Sequence, residues 1–192
     1  MTNSDKLKSQ FHLNPDIIHL NHGSFGAAPI PVLEAQQQWQ LRMEAEPVRF
    51  LARDLWGYLE EARHTLGSYL NTLPSNLAFI PNATYGVNII GHSINLKPGD
   101  EILGTNHEYG ACQKTFEYIG RSTKAHHRIQ SISTPANSTE DILDEFWSGV
   151  TGRTKLIFIS HISSPTAIHF PITEICQRAR EAGILTLIDG AH

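Results

Sequence analysis

The chain has 192 residues, 40% of them hydrophobic, with two cysteines and a net charge of −4 at pH 7. At about 150 residues per domain that is one domain and a fraction, apolar enough to pack a core and too apolar for a disordered chain. The charge balance leaves no basic footprint for nucleic acid, and no apolar run approaches the length that spans a bilayer.

The first residues, MTNSDKLKSQ, lack an apolar signal core, which reads as cytoplasmic. A polar start turns extended at Ile17-Ile18-His19-Leu20, and the Gly-rich run NHGSFGAAP (21–29) must be a loop. Val32, Ala35, Trp39 and Met43 recur at helical spacing up to Pro47. Val48, Leu51, Leu55, Leu59, Ala62, Leu66 and Tyr69 mark a longer amphipathic helix beyond it.

After Pro74 the rhythm alternates. Strands are predicted over 77–80, 101–105, 125–133, 154–160 and 184–188. Helices between them carry Val87, Ile90 and Ile94; Cys112, Phe116 and Ile119; Ile142, Leu143, Phe146 and Trp147; and Ile172, Ile175, Cys176 and Ala179. Ser138-Thr139-Glu140-Asp141 opens the third of these as a cap, and Gly183 stops the fourth. Strands alternating with helices predict an α/β fold: a mostly parallel sheet covered on both faces, in three αβα layers. The last strand runs into Asp189-Gly190-Ala191-His192 with no helix after it, so the chain is expected to be part of a longer protein.

Several chemistries are excluded directly. Neither GxxxxGK[ST] nor GxGxxG occurs, and Gly91-His92-Ser93 lacks the second glycine of a nucleophile elbow because Asn95 stands there. His107-Glu108 has no second His at HExxH spacing, and no metal site is expected. Cys112 and Cys176 form no disulfide framework, and their helical spacing reads as packing.

Ligands of open α/β sheets bind beyond the carboxyl ends of the strands, and four such ends here are polar. Asn82-Ala83-Thr84 offers helix N–H groups and a hydroxyl to a phosphate, or else Asn82 only caps the helix. Asn106-His107-Glu108-Tyr109 puts a ring and a carboxylate at a strand–helix junction, where a polar helix start is the plainer account. His161-Ile162-Ser163-Ser164-Pro165-Thr166 supplies hydroxyls, or turn chemistry alone. Asp189 ends a buried strand, where a carboxylate needs a partner: a cationic ring nitrogen, an Arg or a helix N-terminus. His192 is close enough in sequence to face the same space. Together these ends favour one planar, phosphate-bearing ligand.

The stretches LNHGSFG (20–26), PNATYGVN (81–88), HEYGA (107–111), SHISSPT (160–166) and IDGAH (188–192) resemble the class V aminotransferases. These are fold type I pyridoxal-phosphate enzymes, and within them the likeness is to the isopenicillin N epimerase-like group, related to cysteine desulfurases. The likeness runs in the family's order from about residue 20. It implies an N-terminal segment, 1–20, and an incomplete cofactor-binding large domain, 21–192, of an enzyme acting on an amino acid by epimerisation, transamination or desulfuration/elimination.

The resemblance also implies roles. Ala83 and Thr84 would hold the phosphate of pyridoxal 5′-phosphate, Tyr109 would stack on its ring, and Asp189 would pair with the ring nitrogen. His192 stands where desulfurases use a Gln toward the phenolic oxygen, and Ser164 where they use an Asn. Asn21, His22 and Gly23 would border the substrate pocket, and Arg49 would lie near the interface of a homodimer. The lysine that forms the Schiff base follows the aspartate in this family. Here Lys6, Lys8, Lys97, Lys114, Lys124 and Lys155 all precede Asp189, so the chain alone is not expected to turn over substrate. Two rivals remain: a non-catalytic pyridoxal-phosphate-binding remnant, and an unrelated α/β small-molecule binder.

Overall fold

The computed structural model describes residues 3–23, 25–135 and 138–192. They fall into two compact units, Met1–Phe79 and Ile80–His192. Among the described residues, no helix is long and apolar enough to cross a membrane.

The N-terminal unit is helical: α1 (Asn3–Lys8), α2 (Ile30–Ala45), α3 (Pro47–Arg49), a π-helical turn at Phe50–Asp54, and α4 (Leu55–Leu70). Pro29 precedes α2 in extended geometry and Pro31 sits in its first turn, where its missing N–H costs nothing. Asn71 ends α4 in the left-handed conformation, φ 53°. Trp39, Phe50 and Tyr58 cluster, and the Arg42 guanidinium lies 4.6 Å from the Tyr58 ring centre. Among the described residues of this unit only Gly67 is buried. Trp56 (73% exposed), Tyr69 and Leu41 present broad apolar surface to solvent.

The C-terminal unit carries the sheet. Its elements in chain order are α5 (Ala83–Ser93), β1 (Glu101–Thr105), α6 (Gly110–Thr123), β2 (His126–Gln130), α7 (Thr139–Trp147), β3 (Thr154–Ser160), α8 (Ile172–Glu181) and β4 (Leu185–Asp189). All pairings are parallel, in the order β2-β1-β3-β4. Successive side chains of a strand point to opposite faces, and the two faces have separate cores. Leu156 and Phe158 join Ile102, Val87, Cys112, Phe116 and Ile119 under α5 and α6. Ile157 and Ile159 join Leu103, Ile142, Phe146, Phe170 and Ile175 under α7 and α8. This is the expected αβα layering.

Local signals account for the boundaries. Ser138 Oγ accepts the Asp141 N–H at 3.0 Å to start α7. Gly183 adopts φ 69° just past α8, as a helix stop requires. The turn before β1 closes when the Lys97 N–H donates to Asp100 Oδ2 at 2.7 Å. Two expectations are corrected. Residues 77–80 belong to no strand, because an apolar run makes a strand only when a ladder partner is present. The strand expected over 125–133 is shorter, His126–Gln130, since β1 offers only five residues to pair with it.

At the amino end of the sheet, buried Glu101 accepts hydrogen bonds from Thr151 Oγ1 (2.6 Å) and from Arg153 Nε and Nη2 (3.0 and 2.7 Å). Arg128 lies 3.5 Å away. Burial pushes the Glu101 carboxyl up, but these hydrogen bonds and the two cations outweigh it and hold the group below its usual range.

Candidate active site

Strand order fixes where a ligand can bind. From β1 the chain steps outward to β2, then returns across β1 to lay down β3 and β4. Winding direction reverses between β1 and β3, and a crevice opens outside the carboxyl ends of the strands at such a reversal. Residues 106–109 leave β1 there, and residues 161–166 leave β3.

Glu108 ties the two ends together. The Ser160 N–H and Oγ–H donate to Glu108 Oε2 at 2.8 and 2.6 Å, and the Thr105 Oγ–H donates to Oε1 at 2.6 Å. Burial raises the Glu108 carboxyl above its ordinary range, against the opposing pull of the hydrogen bonds from Ser160 and Thr105. His107 is buried beside it, with Nε2 2.9 Å from the Ile132 carbonyl and Nδ1 2.9 Å from Thr166 Oγ1. Thr166 in turn meets Ser163 Oγ at 2.7 Å. With Nε2 carrying the proton, Thr166 donates to His107 and Ser163 to Thr166, so the loop after β3 is bonded to the turn after β1.

Asp189 is the last residue of β4 and pairs in register with Ser160. Leu187 packs on the α5/α6 side of the sheet, and a two-residue step puts the Asp189 carboxylate on that side too. It is only 8% exposed. Oδ1 accepts the Ala191 N–H at 3.1 Å, and Oδ2 faces the Cys112 thiol at 3.8 Å. Among the described residues, no Lys, Arg or His makes an ion pair with it.

Cys112 joins the start of α6 to Asp189. Its N–H donates to the Tyr109 carbonyl at 2.9 Å. Its sulfur lies 3.8 Å from Asp189 Oδ2. Burial, the Asp189 charge and hydrogen bond, and the Glu108 charge push the thiol up to about 12, so it remains protonated. Tyr109 is the N-cap residue of α6 and is 48% exposed. At the start of α5, Asn82 Oδ1 accepts the Tyr85 N–H at 2.8 Å. The Ala83 and Thr84 N–H groups of that first turn have no intrahelical acceptor, an arrangement suited to an anion. The capping role of Asn82 and an anion-binding role for its neighbours therefore coexist.

Other expected residues are placed differently. Ser164 and His192 are exposed and form no side-chain hydrogen bond with the residues around Asp189. Asn21, His22 and Gly23 belong to the N-terminal unit, where the His22 ring stands edge-on to His19 at 4.5 Å. The His22 carbonyl oxygen lies 2.8 Å from where a Cβ on Gly26 would sit, so that loop closes only over a glycine. Ser24 of the same motif lies outside the described residues. Arg49 is exposed and pairs with Glu46 and Asp54 at 3.2 and 3.3 Å.

The sequence and the backbone both have known counterparts. The aminotransferase class-V family model matches residues 24–192. The chain belongs to that family. An isopenicillin N epimerase from Amycolatopsis lactamdurans is 35% identical over 96% of this chain and 47% of its own length. A probable chloroplastic L-cysteine desulfhydrase from Arabidopsis thaliana is 28% identical over 98% of this chain and 43% of its own. This class-V chain thus spans about half the length of the curated relatives it matches. In fold it superposes on a C-DES mutant with glycine covalently linked to its pyridoxal-phosphate cofactor, with TM-score 0.83 and 21% identity over 96% of this chain and 49% of that one.

Sequence reasoning on this class-V chain missed Cys112, read only as core, and the Glu108–Ser160 tie. Cys112 is indeed fully buried in the α5/α6 core. Its second function as a contact of Asp189 crosses 77 residues of sequence, which helical spacing does not reveal.

Proposed function

We propose that this chain is the cofactor-binding part of a pyridoxal-phosphate-dependent enzyme that acts on the Cα position of an amino acid, in the epimerase–desulfurase branch of the class-V family. One observation carries the reading. The Asp189 carboxylate, at the carboxyl end of β4, is buried, faces the Cys112 thiol at 3.8 Å and has no ion-pair cation among the described residues. A buried carboxylate is costly unless paired, and a protonated pyridine nitrogen is a partner of the right charge and shape. The names of the relatives support the same reading.

When bound, pyridoxal phosphate supplies an electron sink for charge developing at the amino-acid Cα. The chain's own residues do the rest. Asp189 accepts the ring N–H and so keeps the proton on the nitrogen. Tyr109, at the head of α6, covers one face of the ring and excludes water from it. Ala83 and Thr84 hold the phosphate through first-turn N–H groups and a hydroxyl. Asn21, His22, Gly23, Ser164 and His192 enter the proposal as contacts of the phenolic oxygen and the substrate. The homodimer is part of it as well, supported by the uncovered apolar surface of α2 and α4.

Titration with pyridoxal 5′-phosphate tests the reading. Saturable binding is expected, weakened roughly tenfold or more by Asp189→Ala, the scale of a lost charge-assisted hydrogen bond. A protein that binds no pyridoxal phosphate, or binds it equally well without Asp189, contradicts it. Solvent-deuterium exchange at the Cα of amino acids by the full-length protein tests the substrate class.

A further inference from the structure

We propose that Cys112 is a positioning residue for Asp189: its S–H, 3.8 Å from Oδ2, fixes the carboxylate so that its remaining lone pairs face the ring nitrogen of the cofactor. The inference rests on the function proposed above and extends it to a residue for which nothing so far implies any role beyond packing.

The geometry leaves little else to hold Asp189. The side chain ends a strand whose partner, Ser160, is committed to Glu108. Its Oδ1 is taken by the Ala191 N–H, a local contact within the same turn. Among the described residues the long-range donor is the thiol, and its residue is held at the start of α6 by the Cys112 N–H, which donates to the Tyr109 carbonyl at 2.9 Å.

The chemistry suits a fixed donor and not a nucleophile. A thiolate is the reactive form of cysteine, and here two carboxylates, Asp189 and Glu108, stand near a buried sulfur. Deprotonation would leave a negative charge on a buried sulfur. With the proton on sulfur, the thiol stands as a donor to Asp189.

The test compares two probes on wild type, Cys112→Ala and Cys112→Ser: pyridoxal 5′-phosphate and its carbocyclic analogue, in which CH replaces the ring nitrogen. The analogue has no ring N–H for Asp189 to accept but the same shape and phosphate. Cys112→Ala is expected to weaken pyridoxal-phosphate binding roughly three- to tenfold, the worth of one net hydrogen bond. It is expected to change binding of the analogue by less than about twofold. Cys112→Ser keeps a donor in nearly the same volume and is expected to restore the discrimination between the probes. Equal loss for both probes makes the role packing alone and overturns the proposal, as does no loss for either. If wild type binds neither probe, the cofactor assignment itself falls, an outcome distinct from the others.

Discussion

Glu108 and Ser160, 52 residues apart in sequence, share two hydrogen bonds at 2.6 and 2.8 Å across the gap where the sheet reverses its winding. With Thr105 as the third donor, the carboxylate braces the crevice on which every proposed cofactor contact depends. Glu108→Ala leaves two hydroxyls and a backbone N–H buried without an acceptor. A loss of about 2–3 kcal/mol is expected, read from the urea midpoint. An unchanged midpoint would mean that the brace bears no load.

The two buried glutamates have opposite pH signatures. Burial raises the folded-state value of Glu108, so its favourable contribution is present below the unfolded value, near 4.5, and is lost as pH rises through the folded value. The cations and hydrogen bonds around Glu101 outweigh its burial and lower it. Its contribution is present above 4.5 and lost as pH falls through the folded value. Relative to wild type, Glu108→Gln should therefore gain stability from acid to neutral pH, while Glu101→Gln should lose it. Urea unfolding at a series of pH values checks both, and parallel curves would contradict the assignment.

Asp189 is expected to trade stability for function. It is buried with a thiol and one N–H as partners and, among the described residues, no ion-pair cation, so Asp189→Asn should leave the cofactor-free protein as stable as wild type or more so. Thermal melts without cofactor measure this directly. A marked drop in melting temperature would show that the carboxylate is structural.

Much of the fold was legible because burial leaves a period in the sequence. Leu156 to Ile159 read as a strand covered on both faces, and the structure buries all four. Ser138 and Gly183 announced helix ends through cap chemistry that needs only neighbours in sequence. Residues 77–80 failed for the converse reason, since an apolar run says nothing about whether a strand lies beside it. The site was legible one strand end at a time: Asp189 as a buried carboxylate, Tyr109 and Thr84 as residues at helix starts. What joins them was hidden. The Cys112–Asp189 contact and the Glu108–Ser160 brace are set by strand order, and strand order is not written in any local pattern.

The ring-nitrogen chemical shift of isotope-labelled pyridoxal 5′-phosphate, bound to wild type and to Asp189→Asn, is the most direct measure of the central claim. A nitrogen protonated in wild type and unprotonated in the variant is the expected result. A nitrogen in the same protonation state in both would contradict the account, because the buried carboxylate would then not be its partner.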